Sequence, residues 1–334
     1  MVAVHAADDG VGRGRAGETR VGCSTLARRL GESLAGTAPA RTDRWLLVEH
    51  PGPWPLAPLE RITGPGRDVL TRAERLGIRV QLLRRPARRR RASPHQVYVA
   101  HTSGVAPWVE GRELADLAEL AALDLDALAA GRSPGFGEPV GGPLYLVCTH
   151  GRRDACCAEF GRPVAAAVAR LFADRVWETT HLGGDRFAAN MVCFPHALYS
   201  GRLDPVSGPV VAEAYARGEI VLAQYRGRAG TPEVVQVAEH HVRRYLGALS
   251  AVGVELESQT TDGSRTTVVL RAAHRRVRVV VETGEAGQRR ALTCRAADET
   301  CPPVRRVVEL TELTDSPPAA RLAASPRFTA VSRT

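Results

Sequence analysis

Lysine is absent from this sequence, and so are the features that would identify a membrane or secreted protein. All 45 basic residues are arginines, against 36 acidic residues, so the net charge is +9. No apolar run approaches the roughly 20 residues of a membrane-spanning helix, because acidic residues interrupt the best stretch, residues 113–130. The first 20 residues contain no apolar segment of the kind that a signal peptide needs. We therefore expect a cytoplasmic protein with no membrane partner.

The chain also lacks the cysteine patterns of a disulfide framework or of a thioredoxin-type redox motif. It has seven cysteines, an odd number, and none of them forms a CxxC pair. Such thiols are expected to be reduced, buried or bound to a metal. We assign Cys23, Cys193, Cys294 and Cys301 to the class of small buried side chains or leave them without a role.

Arginine is concentrated in one stretch, RRPARRRR at residues 84–91. Such a run can pair with nucleic-acid phosphates or with the carboxylates of an acidic redox partner. No aromatic pattern of an RNA-binding module and no DNA-reading motif accompanies it. We interpret the run as a solvated loop between two strands and do not expect nucleic-acid binding, while an acidic redox protein stays a hypothesis for the partner.

Composition and hydrophobic periodicity divide the chain into six parts, with limits at 1–20, 21–130, 131–143, 144–230, 231–312 and 313–334. The first and last parts are polar and aperiodic, so we predict disordered tails. The second and fourth combine short apolar runs with helical patterns, which is typical of α/β structure. The third is rich in glycine and proline, as linkers are. The fifth is predicted to be a small α+β appendage.

Several elements can be predicted inside these parts. Leucines at helical spacing predict one helix over residues 113–130. Thr231 followed by Pro232 predicts a helix N-cap and first helical residue. The first strands of the two α/β parts, WLLVE at 45–49 and LYLVC at 144–148, form a short repeat. Strands of the appendage are predicted around the turn dipeptide Asp262-Gly263 and beyond it, at 254–258, 266–271, 277–282, 291–294 and 304–310.

The residues that can carry chemistry follow the strand LYLVC. Cys148 ends this strand and Cys157 opens the next predicted helix, with an arginine-containing loop between them. A thiolate is stabilised at a helix N-terminus and near guanidinium groups, and the thiolate is the form that binds metal. His181 and Asp185 follow in a glycine-containing loop, HLGGD. Two sulfurs, one imidazole and one carboxylate can therefore converge on one centre.

The motifs CTHGRRDACC, GRPVAAA, WETTHLGGDRFAAN and YSGRL resemble those of the sucrase/ferredoxin-like family. The resemblance implies a thioredoxin-like ferredoxin domain. Together with the two α/β parts and the appendage, it leads us to expect an α/β fold of two thioredoxin-like segments followed by a small α+β domain. It also implies a [2Fe–2S] cluster in the second segment, held by cysteines with eight residues between them and by two histidines with three between them. By this resemblance Cys148 and Cys157 are the thiolate ligands and His181 is the first imidazole.

The fourth ligand departs from the family pattern, because Asp185 stands at the second histidine position. A carboxylate is a harder ligand for a cluster iron than imidazole is. We expect Asp185 to complete the site, with Cys156 as the alternative fourth ligand. Arg152, Arg153 and Arg186 are expected around the site, where they can donate hydrogen bonds to cluster sulfides or meet an acidic partner.

Four functions compete for these residues. The first is electron transfer by a [2Fe–2S] centre, in which imidazole ligation raises the reduction potential. The second is a structural zinc site with the same ligands. The third is thiol redox chemistry at Cys156 or Cys157, which the missing CxxC motif disfavours. The fourth, glycoside hydrolysis, needs a defined pair of carboxylates that the sequence does not provide. We expect an electron carrier and not an enzyme.

Overall fold

The part of the chain that the structure describes contains a ten-stranded sheet, a four-stranded sheet and the helices that pack on them. The computed structural model describes residues 21–86, 94–104, 106–286 and 288–313. Residues 1–20 and 314–334 of the predicted tails and residues 87–91 of the arginine run lie outside these ranges, whereas residue 313, predicted as the start of the second tail, ends a strand. The helices are α1 Cys23–Arg29, α2 Pro65–Arg75, α3 Leu125–Ala129, α4 Ala155–Ala169, α5 Ser207–Ala216 and α6 Glu233–Leu246. Among the residues described, no helix has the length and apolar character needed to cross a membrane.

The strands of the large sheet are β1 Arg44–Glu49, β2 Arg79–Arg84, β3 His95–His101, β4 Trp108–Leu114, β5 Glu138–Pro139, β6 Leu144–Cys148, β7 Val176–Thr179, β8 Met191–Phe194, β9 Leu198–Ser200 and β10 Tyr225–Arg228. The strands of the small sheet are β11 Val254–Asp262, β12 Arg265–Ala272, β13 Arg275–Glu285 and β14 Pro303–Leu313.

The large sheet consists of two halves that have the same topology and are joined edge to edge. Its strand order is β10-β9-β8-β6-β7-β2-β1-β3-β4-β5. In each half a parallel βαβ unit, β1-α2-β2 or β6-α4-β7, is followed by an antiparallel hairpin, β3-β4 or β8-β9. The halves meet where β2 pairs antiparallel with β7. The predicted α/β fold class is confirmed, and the short sequence repeat lies in β1 and β6, which have equivalent positions.

Strands β1 and β6 are buried on both faces, as their continuous apolar runs predict. Every residue from 45 to 48 and from 144 to 148 has at most 1% of its surface exposed. One face of each strand packs on the helices of its own half, through Leu46, Val48, Tyr145 and Val147. The other face belongs to an inner core that both halves share.

Aromatic side chains join the two halves across this inner core. Trp45 meets Phe194 edge to face with 5.1 Å between ring centroids, and Tyr98 meets Trp177 at 6.0 Å. Each pair takes one ring from each half, and such pairs add about 0.5–1.5 kcal/mol to the burial of apolar area. The sheet therefore curls around this inner core, and the side chain of Cys148 at the end of β6 is part of the core.

The predicted single helix over residues 113–130 is wrong. Strand β4 runs to Leu114, a 3-10 helix covers Leu117–Ala122, and α3 is only five residues long. Asp116 accepts a hydrogen bond from the N–H of Ala118, and Asp124 accepts hydrogen bonds at the start of α3. Each aspartate thus caps a new short helix, because its carboxylate satisfies backbone donors that a continuous helix would pair internally.

The segment 131–143, whose composition resembles a linker, runs along the edge of the large sheet. Its short strand β5 pairs with β4. The carboxylate of Glu110 accepts a hydrogen bond from the N–H of Phe136 at 2.9 Å. This segment therefore adds an edge strand to the first half before the chain enters β6.

The appendage has the predicted arrangement of one helix on a small antiparallel sheet. The strand order is β11-β12-β13-β14, and α6 packs against the inner face of the sheet. Two predicted details are wrong. Helix α6 begins at Glu233 with Pro232 at the N-cap and no capping side chain; Thr231 lies one residue earlier, and its carbonyl accepts a hydrogen bond from the side-chain amide of Gln236. Residues 291–294 form no strand, because this segment crosses to α4, where the N–H of Cys294 donates to Asp154.

Gly161 sets the distance between α4 and β6. A Cβ atom at this position would lie against the carbonyl oxygen of Cys148, well inside van der Waals contact. The helix therefore approaches the strand at the residue that carries the first candidate ligand, and only glycine leaves room for this contact.

We expect Gly161→Ala to lower the free energy of unfolding by about 1–2 kcal/mol, because overpacking against backbone outweighs the helix propensity of alanine. The control is Gly284→Ala, where nothing lies within 4 Å of the new Cβ. Urea unfolding midpoints measure both effects. Equal midpoints for the two variants would show that α4 can move away from β6 at little cost.

Candidate metal centre

The end of β6 and the start of α4 hold the two cysteines of the predicted site. Cys148 is the last residue of β6 and Cys157 lies in the first turn of α4; their surfaces are 1% and 0% exposed. Asp154 is the N-cap of this helix, and its Oδ1 accepts the N–H of Cys156 at 2.9 Å. The eight residues between the ligands thus form a turn and a capped helix start, which brings Cys157 back toward Cys148.

The loop after β7 carries His181 and Asp185. Gly183 and Gly184 have φ values of +94° and +76°, a region that residues with a side chain rarely adopt. The loop can therefore turn sharply before Asp185 begins a 3-10 helix. As a result, Oδ1 of Asp185 lies 2.9 Å from Nδ1 of His181.

Side chains from both halves of the large sheet hold this loop in place. Arg79 and Gln81 of β2 donate hydrogen bonds to the carbonyl of His181 at 2.9 and 3.2 Å. Arg226 of β10, which is 1% exposed, donates to the carbonyl of Gly183 at 3.1 Å. The position of the histidine therefore depends on the first half of the sheet as well as on the second.

Three soft ligand atoms converge at the centre of these elements. The Sγ atoms of Cys148 and Cys157 and a ring nitrogen of His181 all lie within 4.8 Å of one another. Asp185 borders the group, with its Oδ1 3.2 Å from Sγ of Cys157. The Nδ1 atom of His181 is buried and has no aligned hydrogen bond, despite the nearby carboxylate. The structure thus brings together the four residues that the sequence nominates.

The four side chains influence one another's protonation. A hydrogen bond from the Cys157 thiol and the nearby His181 hold the pKa of Cys148 well below its usual value, although burial opposes this. The same hydrogen bond, burial and the charges of Cys148 and Asp185 raise the pKa of Cys157. Burial disfavours the imidazolium of His181, but Asp185 and Cys148 outweigh it and raise the pKa of His181 to about 9. Without metal, the site therefore holds one thiolate and one imidazolium, and metal binding must displace protons.

The three arginines expected around the site have different positions. Arg152 is exposed, and its carbonyl accepts a hydrogen bond from Arg295. Arg153 is also exposed. Burial opposes ionisation of Asp185, but His181 outweighs burial and lowers the pKa of Asp185, and the charge of Arg153 lowers it slightly further. Arg186 forms an ion pair with Glu32 at 2.7 Å. Arg153 thus acts on the site through its charge, whereas Arg186 fastens the ligand loop to the segment that follows α1.

Two arginines of the basic run have a structural role, so the expectation of a fully solvated run is wrong for them. Arg84 pairs with Glu178 across the β2–β7 seam at 2.5 Å and lies over the ring of Trp54 at 4.3 Å. Arg85 lies over the ring of Trp177 at 3.5 Å. Their guanidinium groups stack on aromatic rings and join the two halves.

Cys156, the alternative fourth ligand, belongs to a different group of side chains. Its Sγ lies 3.4 Å from Sγ of Cys294 and 3.9 Å from Sγ of Cys23. Cys23 and Cys294 were expected to be small buried side chains or to have no role, because they lie more than 130 residues from Cys156 and share no spacing motif with it. Asp154, also in this group, was missed as well.

Comparison with known proteins agrees with the motifs of the site. The family described as sucrase/ferredoxin-like matches residues 34–227, which include Cys148, Cys157, His181 and Asp185 but neither Cys23 nor Cys294. The chain is 28% identical over 106 residues to altered inheritance of mitochondria protein 32 of Eremothecium gossypii; the match covers 27% of this chain and only 34% of that protein. No solved structure matches. Because the family match spans more than half of the chain, the protein belongs to the sucrase/ferredoxin-like family.

Proposed function

We propose that the protein transfers electrons through a [2Fe–2S] cluster held by Cys148, Cys157 and His181, with Asp185 as the fourth ligand. The observation that carries the proposal is the donor set that the fold gathers, two buried sulfurs and one ring nitrogen. Thiolate and imidazole are the ligands that proteins use for such clusters, and membership of the family adds weight to this choice.

The donor set fits an iron–sulfur group in two respects. The sulfurs are shielded from water, as the cluster requires for retention. The Nδ1 atom of His181 is buried without an aligned hydrogen bond and lies 2.9 Å from the carboxylate of Asp185. A buried ring nitrogen of this kind is available to a metal once it has lost its proton, which supports His181 as a ligand with Asp185 beside it. When bound, the cluster supplies a one-electron redox couple.

Residues of this chain also set the conditions for electron transfer. Burial lowers the pKa of Arg226 to about 10, so its guanidinium stays charged at neutral pH behind the ligand loop. A fixed positive charge there favours the reduced form of the site and raises its potential. The side chain of His181 is 24% exposed, whereas that of Asp185 is 2% exposed. Electron exchange with a partner protein is therefore directed through the histidine edge.

A mononuclear zinc site is the second candidate, and the spacing of the ligand atoms favours it. Ligands of one tetrahedral Zn²⁺ lie about 3.5–4 Å apart, which agrees with atoms that all lie within 4.8 Å. A [2Fe–2S] group is larger than a single ion and would need more space between these residues. The loop that carries His181 would have to open on cluster assembly, and its two glycines allow such an adjustment.

Protein purified without oxygen is expected to be red-brown and to contain about two irons and two acid-labile sulfides per chain. Iron, zinc and sulfide analysis on one preparation measures this directly. Stoichiometric zinc in the site without sulfide would reject the electron-transfer proposal and establish the zinc alternative.

Cys148→Ser and Cys157→Ser are each expected to lower iron and sulfide content at least tenfold, because an oxygen donor replaces a polarizable thiolate. Cys193→Ser is the matched control: this thiol is also buried, but it lies on β8 outside the site. Visible absorption and metal content are compared for the three variants. Retention of the cluster by both site variants would show that other residues bind it.

Asp185→Ala is expected to make the cluster labile, whereas Asp185→His should retain it with a changed potential, since a neutral imidazole replaces a charged carboxylate. The rate of cluster loss to a chelator and the midpoint potential measure these effects. An intact cluster in Asp185→Ala would limit Asp185 to orienting His181.

A further inference from the structure

A second group of ligand atoms lies beside another face of the first turn of α4. It contains Cys23 at the start of α1, Asp154 and Cys156 at the start of α4, and Cys294 in the segment between β13 and β14. These residues come from three distant parts of the chain. They converge because the segment around Cys294 crosses from the appendage to the large sheet, and its N–H donates to Asp154 at 2.6 Å.

The three sulfurs form a triangle with edges of 3.4, 3.5 and 3.9 Å. Thiolates on one tetrahedral Zn²⁺ ion, each with a bond of about 2.3 Å, lie about 3.8 Å apart. Oδ2 of Asp154 is 3.6 Å from Sγ of Cys23, which agrees with a sulfur and an oxygen on the same ion. The four residues thus already have nearly the spacing of a closed tetrahedral site.

The charge of the group also calls for a cation. Asp154 is completely buried, and Cys23 and Cys156 are 4% and 1% exposed. The carboxylate accepts two backbone N–H groups, from Cys156 and Cys294. Within the ranges that the structure describes, however, no arginine or histidine forms an ion pair with it. A buried carboxylate surrounded by thiols is costly unless a positive charge compensates it.

We propose that Cys23, Cys156, Cys294 and Asp154 bind one Zn²⁺ ion, independently of the metal at the first centre. All four coordination positions come from the protein, so the ion is structural and has no open position for a substrate. It fastens α1 and the appendage to the start of α4. A cleft of about 300 Å³, bordered by Cys23, Cys156 and Cys294, gives the ion access from solvent.

A disulfide explains the group less well. A bond between Cys156 and Cys294 would shorten their 3.4 Å separation to about 2 Å. It would leave the Cys23 thiol outside the bond and the Asp154 carboxylate buried without a cation. One zinc ion uses all four side chains at once.

The second site also bears on the first, because Cys156 and Cys157 are adjacent in the chain. Cys156 belongs to the second group and Cys157 to the first. A zinc ion in the second group would therefore hold the helix turn that carries Cys157. Loss of the ion is therefore expected to loosen the cluster without removing any of its ligands.

The test uses the full chain purified under reducing conditions, with zinc measured per chain. The double variant Cys148→Ser/Cys157→Ser, which lacks the first centre, should retain about one zinc ion. In this double variant, the further substitution Cys294→Ser should lower the zinc content at least tenfold. The substitution Cys294→His at the same position should instead keep the zinc, because imidazole also binds zinc. Cys301→Ser, in the same segment but outside the group, is the matched control and should keep the ion.

Co²⁺ substitution should give the absorption bands of a tetrahedral thiolate site in the double variant, and Cys294→Ser should abolish them. Zinc content unaffected by Cys294→Ser would overturn the proposal. The proposal would also be wrong if the double variant contained no metal. In that case mass spectrometry would show whether the thiols are free or whether Cys156 and Cys294 form a disulfide. None of these results depends on whether the first centre holds iron or zinc, because the first centre is absent from the double variant.

Discussion

The antiparallel pairing of β2 with β7 is the contact on which the candidate site depends. It joins Leu83 to Thr179 and Arg84 to Glu178, so one continuous sheet crosses from the first half to the second. Beyond the seam, Arg79 and Gln81 reach the carbonyl of His181. Without this pairing the second half would still have its two cysteines, but the loop with the histidine would lose the hydrogen bonds that fix its position.

The start of α4 is the second feature that positions the candidate ligands. Asp154 caps the helix, and the adjacent thiols of Cys156 and Cys157 face two separate groups of ligands. A helix turn is a rigid support, because each residue in it is held by backbone hydrogen bonds. Gly161 brings this helix close to β6 at Cys148. The geometry of both groups therefore depends on how one helix is seated on one strand.

Periodicity and composition predicted much of the fold because the relevant signals are local. Continuous apolar runs predicted β1 and β6, and the turn dipeptide Asp262-Gly263 predicted the hairpin of β11 and β12. The same kind of pattern failed at residues 113–130, where Asp116 and Asp124 cap two shorter helices. Leucine spacing describes which side chains are buried, but capping side chains decide where the backbone changes direction.

The sequence by itself determined the α/β class and the nomination of Cys148, Cys157, His181 and Asp185, since these residues lie in two short motifs whose strand–turn–helix and loop contexts are local. Only the tertiary structure decided that Cys156 points away from them and meets Cys23 and Cys294. The reason is distance along the chain: these thiols come from α1, α4 and the appendage, and no spacing pattern connects them. Their meeting follows from how the appendage packs on the large sheet, which a linear pattern does not encode.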